Sequence, residues 1–315
     1  MQKIPVLVIF APTASGKTAL VEKLFSVNSN SVLAGKAEII NADSMQVYKG
    51  MDIGTAKPDK DFLKLLPHHC IDVCEPNEHF GVGEFLPMAD NSCAEVFLRG
   101  KLPVVCGGTA FYIRNFMYGL PKTPKADLDF RSKLQKRLKT EGAKKLMEEL
   151  EKLDYESAKR IHINDEYRIL RALEVCYASG KSLSYFTLEE NLRPEYDFFT
   201  IELVRAREKL YERINLRVLQ MIDKGLEAEF KGLIKKGFSK NDPGMQAIGY
   251  REFFMAEEEG KPFDMQRITE LIQRDTRHYA KRQITFFSTM KNIHRYDAEN
   301  FAQIESAIIS RFCSL

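Results

Sequence analysis

The distribution of apolar residues predicts a core of buried parallel strands. The runs at 5–9, 37–42 and 101–106 are short and almost uninterrupted, as in strands that are covered on both faces. Residues 84–98 show helical spacing and are expected to pack on this sheet, and 197–204 return to strand-like alternation. Strands alternating with helices predict an α/β fold in which helices flank a parallel sheet.

A change in composition near residue 121 predicts an all-helical insertion. The segment 121–124 is rich in proline and resembles a hinge, and 131–153 is strongly charged with an apolar stripe at helical spacing. The segment 161–175 starts with an Asn-Asp cap at 164–165 and continues as a helix. The chain then returns to the sheet. The predicted divisions are 1–121 for the first part of the core, 122–195 for the helical insertion, and 196–315 for the completion of the core with basic C-terminal helices.

Composition narrows the class of protein. The chain is 44 % hydrophobic and 29 % charged, which is ordinary for a globular protein, and no apolar stretch approaches the length of a membrane helix. The N-terminus lacks the features of a secretory signal, so we expect no membrane and a cytoplasmic location. Six scattered cysteines, without a C-x-x-C pair, indicate free thiols in a reducing compartment. The His and Cys residues at 68–74 match no common zinc spacing.

The net charge of +3 is too small to predict nucleic-acid binding, so the local charge distribution matters. From Arg267 to Arg295, seven basic residues face two acidic ones, and aromatic residues are interleaved among them. This segment is predicted to be one helix and is a candidate nucleic-acid face. The alternative is an ordinary amphipathic helix whose aromatic residues are buried.

The candidate chemistry is concentrated in a phosphate-binding loop that joins the first strand to the first helix. A strand, a tight loop and a helix N-terminus form an anion site of inward-pointing N–H groups. Lys17 adds a positive charge, and the Thr18 hydroxyl is a candidate ligand for Mg²⁺. Ala11 replaces the usual first glycine, which is acceptable if its φ is negative. The loop reads Phe10-Ala11-Pro12-Thr13-Ala14-Ser15-Gly16-Lys17-Thr18.

Polar residues follow two further strands, at the edge where an α/β sheet binds its ligands. Asp43 follows the second strand and is a candidate general base, or a Mg²⁺ ligand acting through water. Thr109 follows two glycines after the third strand. Each of these residues also suits a helix N-cap, and that interpretation stays open.

The polar loop at 48–58 is a candidate substrate clamp. Arginines three or four residues apart share a helix face, as in the pairs Arg168 with Arg171 and Arg213 with Arg217.

Together these stretches resemble the tRNA dimethylallyltransferase family, also called tRNA isopentenyltransferases. The resemblance extends from about residue 5 to about residue 295. Its most specific part is Asp52-Ile53-Gly54-Thr55-Ala56-Lys57-Pro58. No zinc finger of the kind that eukaryotic relatives carry follows the last helices, which favours the bacterial type. The other matching stretches are Pro12 to Thr18, Asn41 to Tyr48, Gly107-Gly108-Thr109, Arg168 to Glu174, Ile248 to Arg251 and Lys281 to Thr285.

The resemblance implies transfer of a dimethylallyl group from its diphosphate to N6 of the adenosine at tRNA position 37, beside the anticodon. It implies a P-loop NTPase-like core, Mg²⁺ as cofactor, and a base that is flipped out of the anticodon stem-loop. We expect a monomer. The implied catalytic residues are Asp43, Thr109 and Lys17. The implied diphosphate site is Ala11, Pro12, Thr13, Ala14, Ser15, Gly16, Lys17, Thr18, Arg213 and Arg217. The implied tRNA contacts are Asp43, Ser44, Met45, Gln46, Thr109, Arg131, Tyr167, Arg168, Arg171, Gln246, Gly249, Tyr250, Arg251, Lys281, Arg282 and Gln283.

Three other functions fit parts of this pattern. An adenylate isopentenyltransferase acting on a free nucleotide would need neither the insertion nor the basic C-terminal segment. A P-loop kinase for a small molecule would use ATP as the donor. A non-catalytic RNA-binding module would leave Asp43 and Thr109 without a role.

Overall fold

The computed structural model describes residues 2–124, 127–186, 190–258 and 264–312. Contacts within the chain define two compact units, one formed by residues 1–117 with 193–315 and the other by residues 118–192. The five described cysteines are free thiols, and the sixth, Cys313, lies outside the described residues.

The first unit is built on a parallel sheet, as predicted. In the described part of the chain the sheet has six strands in the order β3-β2-β4-β1-β5-β6, and every pairing is parallel. The central strand β1 is almost wholly buried because both faces are covered, which explains its uninterrupted apolar sequence. The strands are β1 (Ile4–Phe10), β2 (Ala37–Ala42), β3 (His68–His69), β4 (Leu102–Gly107), β5 (Tyr196–Val204) and β6 (His294–Asp297).

Helices cover this sheet and carry many of the polar residues that follow its strands. Their apolar residues pack on β1, β2 and β4 in one core, and a second core lies under α8 to α11. The helices of this unit are α1 (Lys17–Phe25), α2 (Lys60–Leu65), α3 (Val82–Leu98), α4 (Ala110–Tyr118), α8 (Arg207–Asp223), α9 (Leu226–Lys235), α10 (Arg251–Glu258), α11 (Met265–Phe287) and α12 (Phe301–Phe312).

The second unit is helical in its described residues. Its helices are α5 (Leu128–Leu153), α6 (Tyr155–Arg160) and α7 (Glu166–Ser179), which share a core of leucines and isoleucine. The cap predicted for α7 is confirmed, because the Asp165 side chain accepts a hydrogen bond from the backbone N–H of Arg168. Gly180 ends the helix in a left-handed conformation.

The single helix predicted over 267–295 is wrong at its C-terminal end. Helix α11 ends at Phe287, whose ring packs at 4.5 Å from the Phe10 ring. The chain then forms β6, where Arg295 pairs with Glu202 at 2.9 Å. Strand β6 has four mostly exposed polar residues, so it shows no apolar pattern from which a strand is predicted.

A charged cluster joins strands β2 and β3 at the N-terminal edge of the sheet. The buried Glu38 carboxylate accepts hydrogen bonds from His69 at 2.8 Å, Arg99 at 2.7 Å and Lys101 at 3.1 Å. Burial opposes ionisation of this group, but the three hydrogen bonds outweigh it and lower the pKa of Glu38 to about 2.

Candidate active site

A cavity of about 600 Å³ lies at the carboxyl edge of the sheet, where the sequence predicted a site. It is lined by the phosphate-binding loop, by the segment after β2, and by α8 and α11. Among the residues predicted for a site, those that line it are Thr13, Ala14, Gly16, Lys17, Thr18, Asp43, Ser44, Met45, Gln46, Arg213, Arg217, Gln246, Arg251, Arg282 and Gln283.

The backbone of the phosphate-binding loop has the geometry of an anion nest. Ala14 and Gly16 both have positive φ, at 62° and 106°, whereas Ala11 is not among the residues with positive φ. Alanine is therefore compatible with position 11, and the left-handed turns that a nest requires fall further along the loop. Ser15 N–H donates to the Pro12 carbonyl at 3.3 Å, and its hydroxyl is buried.

Three cationic side chains surround this loop. The Lys17 ammonium donates to the carbonyl oxygens of Ala11 and Pro12 at 2.9 and 3.1 Å. Arg213 Nε donates to the Ala14 carbonyl at 2.8 Å, and Arg217 lies 3.5 Å from the Thr13 hydroxyl. Burial lowers the pKa of Lys17 to about 8 and also lowers the pKa of Arg217, while Asp43 opposes both shifts. This concentration of positive charge in a cavity is suited to an anionic ligand.

Asp43 lies at the end of β2 and faces the same cavity. Its Oδ1 accepts hydrogen bonds from the backbone N–H groups of Met45 and Gln46, at 2.9 and 3.3 Å. The capping interpretation is therefore correct for this oxygen. Among the residues that the structure describes, none hydrogen-bonds its Oδ2, so one oxygen is available to accept a proton.

Thr109 connects the end of β4 to the segment that carries Asp43. Its hydroxyl oxygen accepts a hydrogen bond from the Ser44 N–H at 2.9 Å and lies 3.2 Å from the Ser44 hydroxyl. Its own N–H donates to the Ala42 carbonyl at 3.1 Å. Thr109 thus fixes the residues on both sides of Asp43.

Helix α11 contributes a polar wall that includes a residue that the sequence interpretation did not single out. Burial and the charge of Asp43 raise the pKa of Tyr279, and its hydrogen bonds with Thr109 and Gln283 act in the opposite direction. The exposed Arg282 guanidinium lies 5.8 Å from the Tyr279 ring centre and lines the cavity. Tyr279 had appeared in the sequence only as one of several aromatic residues on a basic helix.

The loop at 52–57 is held by Glu229, a residue of α9 that the sequence interpretation missed. Its carboxylate accepts backbone hydrogen bonds from Asp52, Ile53 and Gly54, at 2.8 to 3.1 Å. It also accepts one from the Tyr250 hydroxyl at 2.6 Å. Three successive N–H groups converging on one carboxylate explain how a loop without apolar periodicity keeps a single shape.

Other residues of the resemblance hold the same loop. The Lys57 side chain is 3 % exposed and donates to Asp52 at 2.6 Å and to Asp72 at 2.5 Å. The Gln46 side-chain amide donates to the carbonyls of Thr55 and Ala56, both at 3.2 Å. Gln46 therefore supports the cavity wall in addition to lining the cavity.

The segment 246–251 is split between the cavity and the core. Gln246 and Arg251 line the cavity, and Arg251 also pairs with Asp275 at 2.9 Å. Tyr250 is fully buried, and a Cβ on Gly54 would lie only 2.5 Å from its ring. Gly249 is buried with a φ of 106°. The side chain of Tyr250 therefore packs inside the protein, which supports a structural role for it rather than direct contact with RNA.

Some basic residues of α11 are paired inside the protein, and others are exposed and can contact RNA. Arg274 pairs with Asp275 at 2.7 Å, and Arg277 donates to Asn215 at 2.6 Å. Lys281 and Arg282 are both exposed. Asp275, the acidic residue nearest to them on this helix, is engaged by Arg251 and Arg274.

In the helical unit, two of the predicted RNA contacts have internal partners and two are exposed. Arg131 and Arg171 donate to the buried Glu174 carboxylate at 3.0 and 2.8 Å. Tyr167 is 65 % exposed, and the Arg168 side chain is also exposed beside Asp165. Arg168 and Tyr167 are thus the more accessible members of this set.

The cavity also has apolar walls, which the sequence interpretation did not assign. Apolar side chains from α8, α11 and the 246–250 segment line it together with the polar residues. In the sequence these positions look like core residues, because helical spacing does not distinguish a packed face from a cavity wall. The apolar lining residues include Ile214, Val218, Met221, Ala247, Ile248 and Ile272.

The fold and the cavity together define a class, the P-loop α/β transferases whose anion site adjoins a potential base and an apolar wall. A comparison with protein families matches residues 46–290 to the IPP transferase family. The chain belongs to that family, whose members are the tRNA dimethylallyltransferases. Within the described ranges, no helix is both long and apolar enough to cross a membrane.

Individual relatives agree with this assignment. A tRNA dimethylallyltransferase of Alkaliphilus oremlandii is 38 % identical over 303 residues, which cover 95 % of this chain and 93 % of the relative. The crystal structure of the tRNA isopentenylpyrophosphate transferase of Bacillus halodurans is 32 % identical with a TM-score of 0.69, covering 99 % of this chain and 98 % of that one. The crystal structure of a eukaryotic dimethylallyltransferase acting on tRNA is 26 % identical with a TM-score of 0.78. The match covers 98 % of this chain and 77 % of that one.

Proposed function

We propose that this chain transfers a dimethylallyl group from dimethylallyl diphosphate to N6 of adenosine 37 in tRNA and releases diphosphate. Membership of the tRNA dimethylallyltransferase family supports this function. The observation that carries it at the level of residues is the single cavity that joins an anion nest, an apolar wall and the Asp43 carboxylate. A donor that has a charged and an apolar end, and an acceptor that must lose a proton, require these three features.

The diphosphate of the donor would lie on the phosphate-binding loop. The N–H groups of Ala14, Gly16, Lys17 and Thr18 have no hydrogen-bond acceptor assigned within the described chain, and the helix N-terminus adds positive charge. Lys17, Arg213 and Arg217 would stabilise the negative charge that develops on the departing diphosphate. The apolar wall would bind the dimethylallyl end.

The acceptor amine is a weak nucleophile, because its lone pair is delocalised into the adenine ring. Positioning and stabilisation of the leaving group therefore supply most of the rate enhancement. The free Oδ2 of Asp43 would accept the proton that the amine loses as the carbon–nitrogen bond forms. Thr109 would act through Ser44 by fixing the direction of the Asp43 carboxylate.

The residues at the cavity also fit a magnesium ion bound mainly through the substrate. The described residues contain no cluster of three or more His, Cys, Asp or Glu side chains that could hold a metal ion. Mg²⁺ usually retains several waters and takes one or two protein ligands together with substrate phosphates. The exposed Thr18 hydroxyl and, through water, Asp43 are the residues that would hold it. When bound, the ion would neutralise charge on the diphosphate.

The tRNA would contact the exposed polar residues around the cavity and on the helical unit. In the first unit the exposed residues are Lys281, Arg282 and Gln246, and the half-buried Arg251 lies on the cavity wall. In the second unit they are Tyr167 and Arg168. The free thiols support a reducing, cytoplasmic setting.

A competition between acceptors and between donors tests this function against its rivals. Unmodified tRNA and adenosine monophosphate are offered together with labelled dimethylallyl diphosphate and Mg²⁺, and a parallel reaction receives ATP as the donor. We expect label in tRNA alone and no phosphoryl transfer from ATP. Preferential labelling of the free nucleotide would indicate an adenylate isopentenyltransferase, and phosphoryl transfer would indicate a kinase.

A further inference from the structure

The buried amide of Gln283 links two of the loops that form the cavity. Its side chain extends from α11, and the residue is only 3 % exposed. Its Oε1 accepts a hydrogen bond from the Thr13 N–H at 2.9 Å, and its Nε2 donates to the Gly108 carbonyl at 2.7 Å. One partner is a donor and the other an acceptor, so the amide has one favourable orientation.

The residues around the Gln283 amide leave just enough space for it and hold its end of α11 in place. A Cβ on Gly108 would lie 2.7 Å from Gln283 Nε2, so any larger residue there would displace the amide. One helical turn further on, Phe287 packs on Phe10 at the end of β1. This end of α11 is therefore attached to the loops after β1 and β4 by a polar and an apolar contact on one face.

The amide acts on the beginning of the phosphate-binding loop. Thr13 directly precedes Ala14, where the backbone turns to a positive φ of 62°, a conformation that an alanine rarely adopts. The N–H groups proposed above to bind the diphosphate, those of Ala14, Gly16, Lys17 and Thr18, follow directly after Thr13. A loop that contains such a turn keeps its shape only if its neighbours hold it, and Gln283 holds the residue at which the turn begins.

We propose that Gln283 is a positioning residue for the diphosphate-binding loop and that its effect falls on the dimethylallyl donor. This proposal rests on the proposed function. It differs from the role in tRNA contact that the family resemblance implied for Gln283. The Gln283 side chain is buried, and both ends of its amide are already hydrogen-bonded within the protein, so it has little capacity to bind RNA. Its neighbours Lys281 and Arg282 are exposed and can bind RNA.

Two substitutions remove the link by independent routes. Gln283→Met keeps the length and unbranched shape of the side chain but makes none of its hydrogen bonds, neither the two to Thr13 and Gly108 nor the one with Tyr279. Gly108→Ala retains the glutamine and displaces its amide through the added Cβ. Gln266→Met is the matched control, because Gln266 lies on the same helix, is exposed and is absent from the cavity lining.

The experiment measures binding and turnover separately. Titration calorimetry with inorganic pyrophosphate and with dimethylallyl diphosphate, both with Mg²⁺, gives the affinity for the donor. Titration of an anticodon stem-loop gives the affinity for RNA, and thermal unfolding reports whether each variant folds. Two lost hydrogen bonds correspond to roughly tenfold or more in affinity. We expect Gln283→Met and Gly108→Ala each to weaken the binding of pyrophosphate and of dimethylallyl diphosphate by this factor.

The same two variants should bind the stem-loop within about twofold of wild type, and their single-turnover rate at saturating donor should fall by less than their donor affinity. Gln266→Met should match wild type in every measurement. Weakened stem-loop binding with unchanged donor affinity would overturn the proposal, as would unchanged affinity for both. Pyrophosphate binding needs no transfer, so a wild-type protein that binds it but transfers nothing would refute the proposed function and leave this test intact.

Discussion

At the scale of single residues, Asp43 combines a structural and a chemical role in its two carboxylate oxygens. Its Oδ1 caps the turn at Met45 and Gln46, Oδ2 is not used in that cap, and the residue lines the cavity. Alanine at this position would remove both roles together. Asparagine keeps an oxygen for the cap and removes the proton acceptor, so it separates the two roles.

We expect Asp43→Asn to lower the single-turnover rate by 10²–10⁴-fold, the usual contribution of a general base. The affinity for an anticodon stem-loop and the thermal unfolding midpoint should stay close to wild type. Asp43→Ala should show the same loss of rate together with a lower unfolding midpoint. A single-turnover rate for Asp43→Asn within about twofold of wild type would remove Asp43 from the role of base.

The pKa of Lys17 predicts a dependence on pH. Burial lowers this pKa to about 8, so the ammonium loses its charge as the pH rises through that value. We expect kcat/KM for dimethylallyl diphosphate, which reports on the free enzyme, to fall above about pH 8. Lys17→Met should lower kcat/KM at pH 7 and remove this step from the profile. A step at the same pH in Lys17→Met would assign it to another group.

At the scale of elements, the sequence was most informative where a strand or helix has a continuous apolar pattern. Strands β1, β2 and β4 were predicted from such runs, β5 was predicted from alternation, and all four are confirmed. Strand β6 and the C-terminal end of α11 were not found, since a short polar strand at the sheet edge is stabilised by its pairing with β5. Glu229 was missed for a related reason. Three of its partners are backbone N–H groups, which are the same for every residue except proline, so the pattern of side chains does not predict them.

The loop at 52–57 should depend on Glu229 for its structure. We expect Glu229→Ala to lower the free energy of unfolding by at least about 2 kcal/mol, because it leaves three backbone N–H groups and the Tyr250 hydroxyl without their acceptor. Urea unfolding measures this difference. Glu227→Ala is the control, because Glu227 lies two residues earlier on α9 and pairs with Lys231. Equal stability of the two variants would contradict the anchoring role.

Helix α11 should contact RNA through its exposed residues Lys281 and Arg282. If both contact phosphates, replacing both with alanine should weaken binding of an anticodon stem-loop and lower the slope of log K against log salt by roughly 0.7–0.9 per contact. The affinity for dimethylallyl diphosphate should not change with Lys281→Ala. Salt titrations of wild type, both single variants and the double variant measure these slopes. If all variants keep the affinity and slope of wild type, this face of α11 is solvated surface.

At the scale of the whole molecule, the candidate active site lies at the carboxyl edge of the sheet, and the charged cluster around Glu38 lies at the opposite edge. Glu38 has a folded-state pKa of about 2, below its ordinary value of 4.5. Its charge therefore stabilises the fold above that ordinary value, and this contribution is lost as the pH falls from 4.5 to about 2. We expect Glu38→Gln to be clearly less stable than wild type at pH 6, with the difference shrinking over this window. A constant difference in urea unfolding across the window would contradict this account.

The central claim is that one cavity brings a prenyl diphosphate and a tRNA adenosine together. Mass spectrometry of nucleosides tests it most directly, after unmodified tRNA is incubated with the protein, dimethylallyl diphosphate and Mg²⁺. We predict an adenosine heavier by one dimethylallyl group less a hydrogen, mapped by oligonucleotide digestion to position 37 and absent when Lys17 is replaced by methionine. Unmodified adenosine in tRNA after complete turnover of the donor, or an added phosphate in place of the prenyl group, would contradict it.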